Sequence, residues 1–145
     1  LKIVLQRVSS ASVSVSDKII STIGKGYVIL LGIGADDTKP QVDKAIEKIK
    51  KLRIFPDEND KINLSIDDIN GDIMIVSQFT LYADCKKGNR PSFTNAASPV
   101  FAEELYNYFV EACQGRFNKV GHGVFGVHMN VALVNDGPFT IILEN

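Results

Sequence analysis

The sequence predicts an α+β fold: a layered α/β/β domain with mostly antiparallel or mixed sheets and two main helices. Three observations predict it. About eight strand-like segments are set off by turn residues, they cluster towards both ends of the chain, and only two segments carry helical periodicity, both between them. That distribution disfavours a doubly wound parallel sheet, where strands and helices alternate. With 145 residues, 45% of them apolar, the chain is expected to be a single domain, residues 1–145, able to bury a core without staples.

The elements follow in order. Residues 2–8 suit a strand, and Ala11, Val13 and Val15 alternate with Ser12, Ser14 and Ser16 as in a half-buried one. Asp17-Lys18 predicts a turn into a strand over 19–23. Gly24-Lys25-Gly26 turns the chain again, and YVILLGI (27–33) reads as a fully buried strand. Thr38 offers an N-cap with Pro40 in the first turn, and Val42, Ala45, Ile46, Ile49 and Leu52 share one helical face. Arg53-Ile54-Phe55 returns to extended structure, and DIMIVSQFTL (72–81) reads as a strand ahead of a polar loop over 83–92. Ser98 and Pro99 open a second helix, which buries Phe101, Leu105, Phe109 and Ala112 and is capped by Gly115. VFGVHMNVALV (124–134) and FTIILE (139–144) are the last strands, joined by a turn at Asn135-Asp136-Gly137-Pro138.

Composition narrows the function. No apolar run approaches the roughly 20 residues that span a bilayer, and LKIVLQRVSS lacks a signal-peptide profile. The chain begins at Leu1, so an initiator methionine is expected to have been lost or left out of the numbering. Cys85 and Cys113 show neither metal-ligand spacing nor a disulfide framework, so a cytoplasmic, reducing setting is expected. A net charge of −1 argues against indiscriminate binding along nucleic acid, yet leaves room for a local basic grip on one RNA end. Lys44, Lys48, Lys50, Lys51 and Arg53 form one candidate patch, and Lys86, Lys87 and Arg90 the other; each reads equally as a solvated face.

The common catalytic signatures are absent: no GxSxG elbow, P-loop, HExxH or Rossmann glycine fingerprint occurs. His122 and His128 have no further ligands at zinc spacing, and neither metal nor cofactor is expected. Lys86 and Lys87 beside Cys85 would favour a thiolate, but no surrounding motif supports a nucleophile. Two segments stand apart. In SQFTLYADCKKGNRPSF (77–93), Ser77, Gln78 and Thr80 interrupt an apolar strand at its end, where polar groups either bond to a neighbouring loop or face a cleft. The other is residues 123–144, with Asn135-Asp136-Gly137-Pro138, which taken alone is a hairpin signal.

QRVSSASV (6–13), LRIFPDE (52–58), SQFTLYADCKKGNRPSF (77–93), LYNYFVEAC (105–113) and NDGPFTIIL (135–143) together resemble the D-aminoacyl-tRNA deacylase family, end to end and in order. The resemblance implies hydrolysis of the ester of D-aminoacyl-tRNA, and of mischarged glycyl-tRNA, by a homodimer with active sites at the subunit interface. It implies an active site lined by Ser77, Gln78, Phe79 and Thr80. It implies a cis Gly137-Pro138 bond whose carbonyls accept hydrogen bonds from the substrate ammonium and exclude an L side chain. Phe125 and Met129 fall among the implied substrate-binding positions. Arg7 matches the arginine that helps fix the Gly-Pro loop, the alternative being a surface ion pair. The departures are Val127 and His128, where the family commonly has alanine and aspartate, Phe139 in place of valine, and Cys85 where threonine is frequent.

The implied mechanism needs no strong protein base. The ester is activated by its cationic amine, backbone N–H groups around Phe79 and Thr80 form an oxyanion site, and the 2′-hydroxyl of the terminal adenosine assists. The alternative makes the Thr80 hydroxyl a nucleophile. Other classes left open are a non-catalytic RNA-binding module, a relative that edits L-aminoacyl-tRNA, and a hydrolase of free esters.

Overall fold

The computed structural model describes residues 1–144. Its elements are β1 (Lys2–Val15), β2 (Lys18–Ile23), β3 (Gly26–Gly32), α1 (Lys39–Lys51), β4 (Arg53–Pro56), β5 (Ile62–Ser65), β6 (Asp72–Ser77), α2 (Pro99–Cys113), β7 (Val120–His122) and β8 (Asn130–Glu144), with one 3₁₀ turn over Phe79–Tyr82. A six-stranded sheet runs β2-β1-β3-β6-β7, with β8 along the other edge of β1; β4 and β5 form a separate ribbon. The pairs β3–β6 and β6–β7 are parallel and the rest antiparallel, so the sheet is mixed.

Alternation along the strands builds two cores. Tyr27, Ile29, Leu31, Ile73 and Ile75 point to one face, which α1 and α2 cover. Val28, Met74 and Val76 point to the other, where Val8, Ala11, Val13 and Ile23 close over them. A register shift between Val8 and Ser10 turns β1 over: Ile3 and Leu5 face the helices, whereas Ala11 and Val13 face the second core. One long strand thus serves two layers, as the predicted α/β/β arrangement requires.

Local chemistry sets the element ends. Ser16 and Asp17 take φ of 48° and 63°, the pair of positive values a tight hairpin needs, so the turn sits one residue before its predicted place. The amide of Thr38 donates to Oε1 of Gln41 at 2.8 Å, which holds the start of α1. Gly26 admits a close crossing: a Cβ there would lie 1.8 Å from the carbonyl oxygen of Asp72. Tyr27 and Phe55 stack with centroids 5.2 Å apart, a pairing that adds about 0.5–1.5 kcal/mol beyond the area it buries.

Three predicted elements are corrected. The strand expected over 72–81 ends at Ser77, because Gln78 leaves extended geometry (φ −145°, ψ 76°) and the next four residues wind into the 3₁₀ turn. The strand expected from 124 begins at Asn130, after a loop. Asn135-Asp136-Gly137-Pro138 does not join two strands. Gln6 pairs with Thr140 and Val8 with Asn135, so residues 136–139 bulge out opposite the single residue Arg7, within one continuous strand.

Candidate active site

The end of β6 and the 3₁₀ turn after it open into a cavity of about 700 Å³. Ser77, Gln78 and Phe79 form one wall, and Phe125 and Met129, from the loop before β8, form another. The start of α2 supplies Pro99 and Ala102. The walls are mostly apolar with a few polar groups, Ser77, Gln78 and His128, the usual make-up of a site for an organic ligand. His128 is the one ionisable side chain among the lining residues.

Each wall is held from behind. Phe79 is 55% exposed and meets Phe93 edge-on at 5.0 Å, across the loop that joins them. Phe125 packs against Tyr106 at 5.8 Å. The Tyr106 hydroxyl donates towards the carbonyls of Ile75 at 3.0 Å and Gly123 at 3.3 Å, which ties α2 to β6 and to the residue that follows β7; burial pushes its pKa up to about 12. The Met129 sulfur accepts the amide of Val124 at 3.3 Å and so closes its loop.

Thr80 lies beside the cavity but is not one of its lining residues. Its hydroxyl oxygen accepts a hydrogen bond from the Gln78 side-chain amide. An amide does not take a proton near neutral pH, so this contact orients Thr80 without making it a stronger nucleophile. The amide of Gln78 donates to the Leu31 carbonyl at 2.8 Å, and the turn is closed by Leu81 to Gln78 and Ala83 to Thr80. The N–H groups of Phe79 and Thr80 open that turn and find no acceptor within it.

Arg7, Gly137 and Pro138 form a second constellation, on the bulge between β1 and β8; neither Gly137 nor Pro138 lines the cavity. The peptide between them is cis. Arg7 is buried. Its Nε donates to the Asp136 carbonyl at 3.0 Å, a terminal nitrogen donates to the Ile54 carbonyl at 2.7 Å, and the guanidinium lies 4.7 Å from the Phe139 ring centroid. The surface ion pair considered for Arg7 is therefore only part of its environment: an Asp136 carboxylate oxygen stands 3.6 Å away, more loosely held than the two carbonyls. Asn135 braces the bulge from its other side, where its Oδ1 accepts the Phe139 amide at 2.9 Å.

A family profile described as D-Tyr-tRNA(Tyr) deacylase matches residues 4–144. The chain belongs to the D-Tyr-tRNA(Tyr) deacylase family. It is 52% identical over 145 residues to the D-aminoacyl-tRNA deacylase of Thermosipho africanus (strain TCF52B), an alignment covering 100% of this chain and 97% of that one. Identity and coverage are the same for the D-aminoacyl-tRNA deacylase of Clostridioides difficile (strain 630). Among solved structures, a protein described as c-Myc DNA Unwinding Element Binding Protein superposes with a TM-score of 0.94 at 42% identity, covering 100% of this chain and 99% of that one.

Within this deacylase, the sequence signals divide cleanly. The motif at 77–79 and the positions Phe125 and Met129 converge on one cavity, while Arg7, Gly137 and Pro138 converge on another place. The sequence reading missed the back wall from Ala96, Ala97, Pro99 and Ala102; Ser98-Pro99 was legible only as a helix start. Cys113 is buried and its thiol is pushed up to about 12, which leaves it unreactive; Cys85 is exposed. Among the described residues, no group of three or more His, Cys, Asp or Glu side chains is placed to hold a metal ion. No helix among them is long and apolar enough to cross a membrane.

Proposed function

We propose that this protein hydrolyses the ester of D-aminoacyl-tRNA, and of glycyl-tRNA, to free amino acid and tRNA, with each active site completed by a second copy of the chain. The activity is supported by family membership and by the full-length likeness to deacylases at 52% identity. One observation carries the shared site: the cavity and the Gly137-Pro138 bulge are two separate devices within one chain. The bulge lies on β8, which pairs only with β1 among the described residues and leaves its other edge open. Gly137 and Pro138 are exposed, as are Val134 and Ile142 on the same strand. A long open edge with apolar side chains invites a partner, and a two-fold pair would carry each bulge to its neighbour.

In this reading the terminal adenosine and its aminoacyl group enter the cavity, and the Phe79 and Thr80 amides receive the oxyanion. The Gly137 and Pro138 carbonyls of the other copy hold the ammonium, and an L side chain meets the wall. Gln78 orients Thr80, the cavity wall holds no carboxylate, and the substrate's own 2′-hydroxyl assists the attacking water.

The test is release of D-Tyr and L-Tyr from charged tRNA. Selective release of D-Tyr is expected. Equal rates would remove the chirality filter, and tRNA binding without release of either would leave an RNA-binding module.

A further inference from the structure

The loop over residues 83–92 carries three cations that the cavity does not use. Lys86, Lys87 and Arg90 are exposed, and none forms an ion pair or a side-chain hydrogen bond in this structure. The one carboxylate in the loop, Asp84, accepts the Lys86 amide at 2.9 Å and pairs with none of the three cations. The loop is pinned at its base, where Asp84 and Ser92 exchange both backbone hydrogen bonds, at 2.7 and 3.0 Å. Its two feet are walls of the cavity: Phe79 opens the turn that leads into it, and Phe93 follows it, the two rings 5.0 Å apart. The rival basic patch, on α1 and the start of β4, is partly engaged within the chain. Lys50 pairs with Asp67, Lys51 with Glu47, and Arg53 donates to the Asn63 carbonyl at 2.8 Å, which leaves Lys44 and Lys48.

We infer that Lys86, Lys87 and Arg90 grip the phosphates of the single-stranded RNA that leads into the cavity, so the loop is the RNA-backbone contact of this enzyme. The inference rests on the proposed aminoacyl-tRNA substrate, whose terminal adenosine fills the cavity. Every nucleotide before it carries a phosphate past the rim. A chain of net charge −1 has no general attraction for RNA, so its affinity must come from such a local concentration of unpaired charge. The contacts are to phosphate and carry no sequence preference, as suits a common 3′ end.

Salt dependence reads the contact directly. For single strands, log affinity falls with log salt by about 0.7 for each phosphate neutralised. The triple variant Lys86→Gln, Lys87→Gln, Arg90→Gln is expected to flatten the slope of log kcat/KM for D-Tyr-tRNA by about 2. Hydrolysis of D-tyrosyl-adenosine, which has no phosphate, stays at the wild-type rate. Arg90→Lys keeps the wild-type slope, because charge alone suffices. An unchanged slope in the triple variant overturns the inference, as does a flattened slope in Lys44→Gln, Lys48→Gln with the triple variant unaffected. Equal losses on D-Tyr-tRNA and D-tyrosyl-adenosine also overturn it, since the loop would then be shaping the cavity. A wild-type protein that cleaves neither substrate refutes the proposed function instead, a result distinct from all of these.

Discussion

Arg7 donates through Nε to the carbonyl oxygen of Asp136, 129 positions along the chain, at 3.0 Å. It lies opposite the four bulged residues and anchors them to β4 through Ile54, so the shape of the Gly137-Pro138 segment depends on a buried guanidinium. Arg7→Met removes both donors and leaves two carbonyls short of partners, a loss of about 1–3 kcal/mol. Denaturant unfolding is expected to show that loss, and D-Tyr-tRNA turnover to fall further than the population of folded protein explains. Arg7→Lys retains the charge but not the fork, and restores stability better than turnover.

Gly137 gives a narrower probe of the same segment. Its φ is +133°, and a Cβ would stand 3.1 Å from the Phe139 amide nitrogen and 3.2 Å from a terminal nitrogen of Arg7. Gly137→Ala is therefore strained by about 1–3 kcal/mol. The cavity lies elsewhere and keeps its lining, so the variant is expected to lose deacylation while still binding deacylated tRNA in a filter or titration assay. Unimpaired turnover would detach the bulge from the reaction.

The contrast between these segments shows what the sequence made legible. YVILLG was readable because it is buried against both cores and so forms an unbroken apolar run, and the Val42, Ala45, Ile46, Ile49 stripe because α1 faces a single core, so its periodicity survives. Phe79–Tyr82 was not, since an apolar run reads alike in a strand and in a tight turn, and only the departure of Gln78 from extended geometry separates them. That β8 resumes its pairing at Thr140, beyond the bulge over 136–139, depends on β1, more than a hundred residues earlier, and turn chemistry dominates the local signal. For the site, the motif letters named Ser77 to Thr80. The edge-on contact with Phe93, the back wall from α2 and the separation of Gly137 from the cavity all arise from tertiary folding.

Thr80 separates the two mechanisms. Its oxygen is held by the Gln78 amide and no base is bonded to it, so Thr80→Ala is expected to slow turnover by roughly 10-fold, through lost positioning, and Thr80→Ser to recover most of it. Substrate ending in 2′-deoxyadenosine is expected to react on the order of 10²–10⁴ times more slowly, the range for a lost general acid or base. Near-abolition by Thr80→Ala with RNA binding intact would assign the hydroxyl a chemical step.

Tyr106 predicts an alkaline limit. Its pKa rises from the ordinary value of 10.0 to about 12 on folding, because burial disfavours the phenolate. The unfolded chain then loses the proton first. The contribution of this group is full below pH 10.0 and is lost as pH climbs towards about 12. Tyr106→Phe is expected to cost about 0.5–1.5 kcal/mol at neutral pH, through the lost bonds to Ile75 and Gly123, and to make stability less steep in pH across that window. Unfolding followed by circular dichroism from pH 7 upward measures both. An identical slope in the variant would assign the alkaline loss to other groups, Tyr27 and Tyr82 among them, whose pKa values burial also raises.

A mixed-subunit experiment tests whether one site draws on two chains. Phe79→Ala disables the cavity wall and leaves the bulge; Gly137→Val disables the bulge and leaves the wall. Each variant alone is expected to be inactive. When the two are unfolded together and refolded, half the pairs formed at random are mixed, and each mixed pair holds one site with an intact wall from one chain and an intact bulge from the other. Activity is then expected to return to about a quarter of the wild-type value per site. Sites built within a single chain give no recovery, because every copy carries a lesion. Since the open edge of β8 is where such a pair would form, an added Lys at Val134 or Ile142, both exposed on that strand, is expected to shift the protein towards monomer in sedimentation and to lower turnover in step.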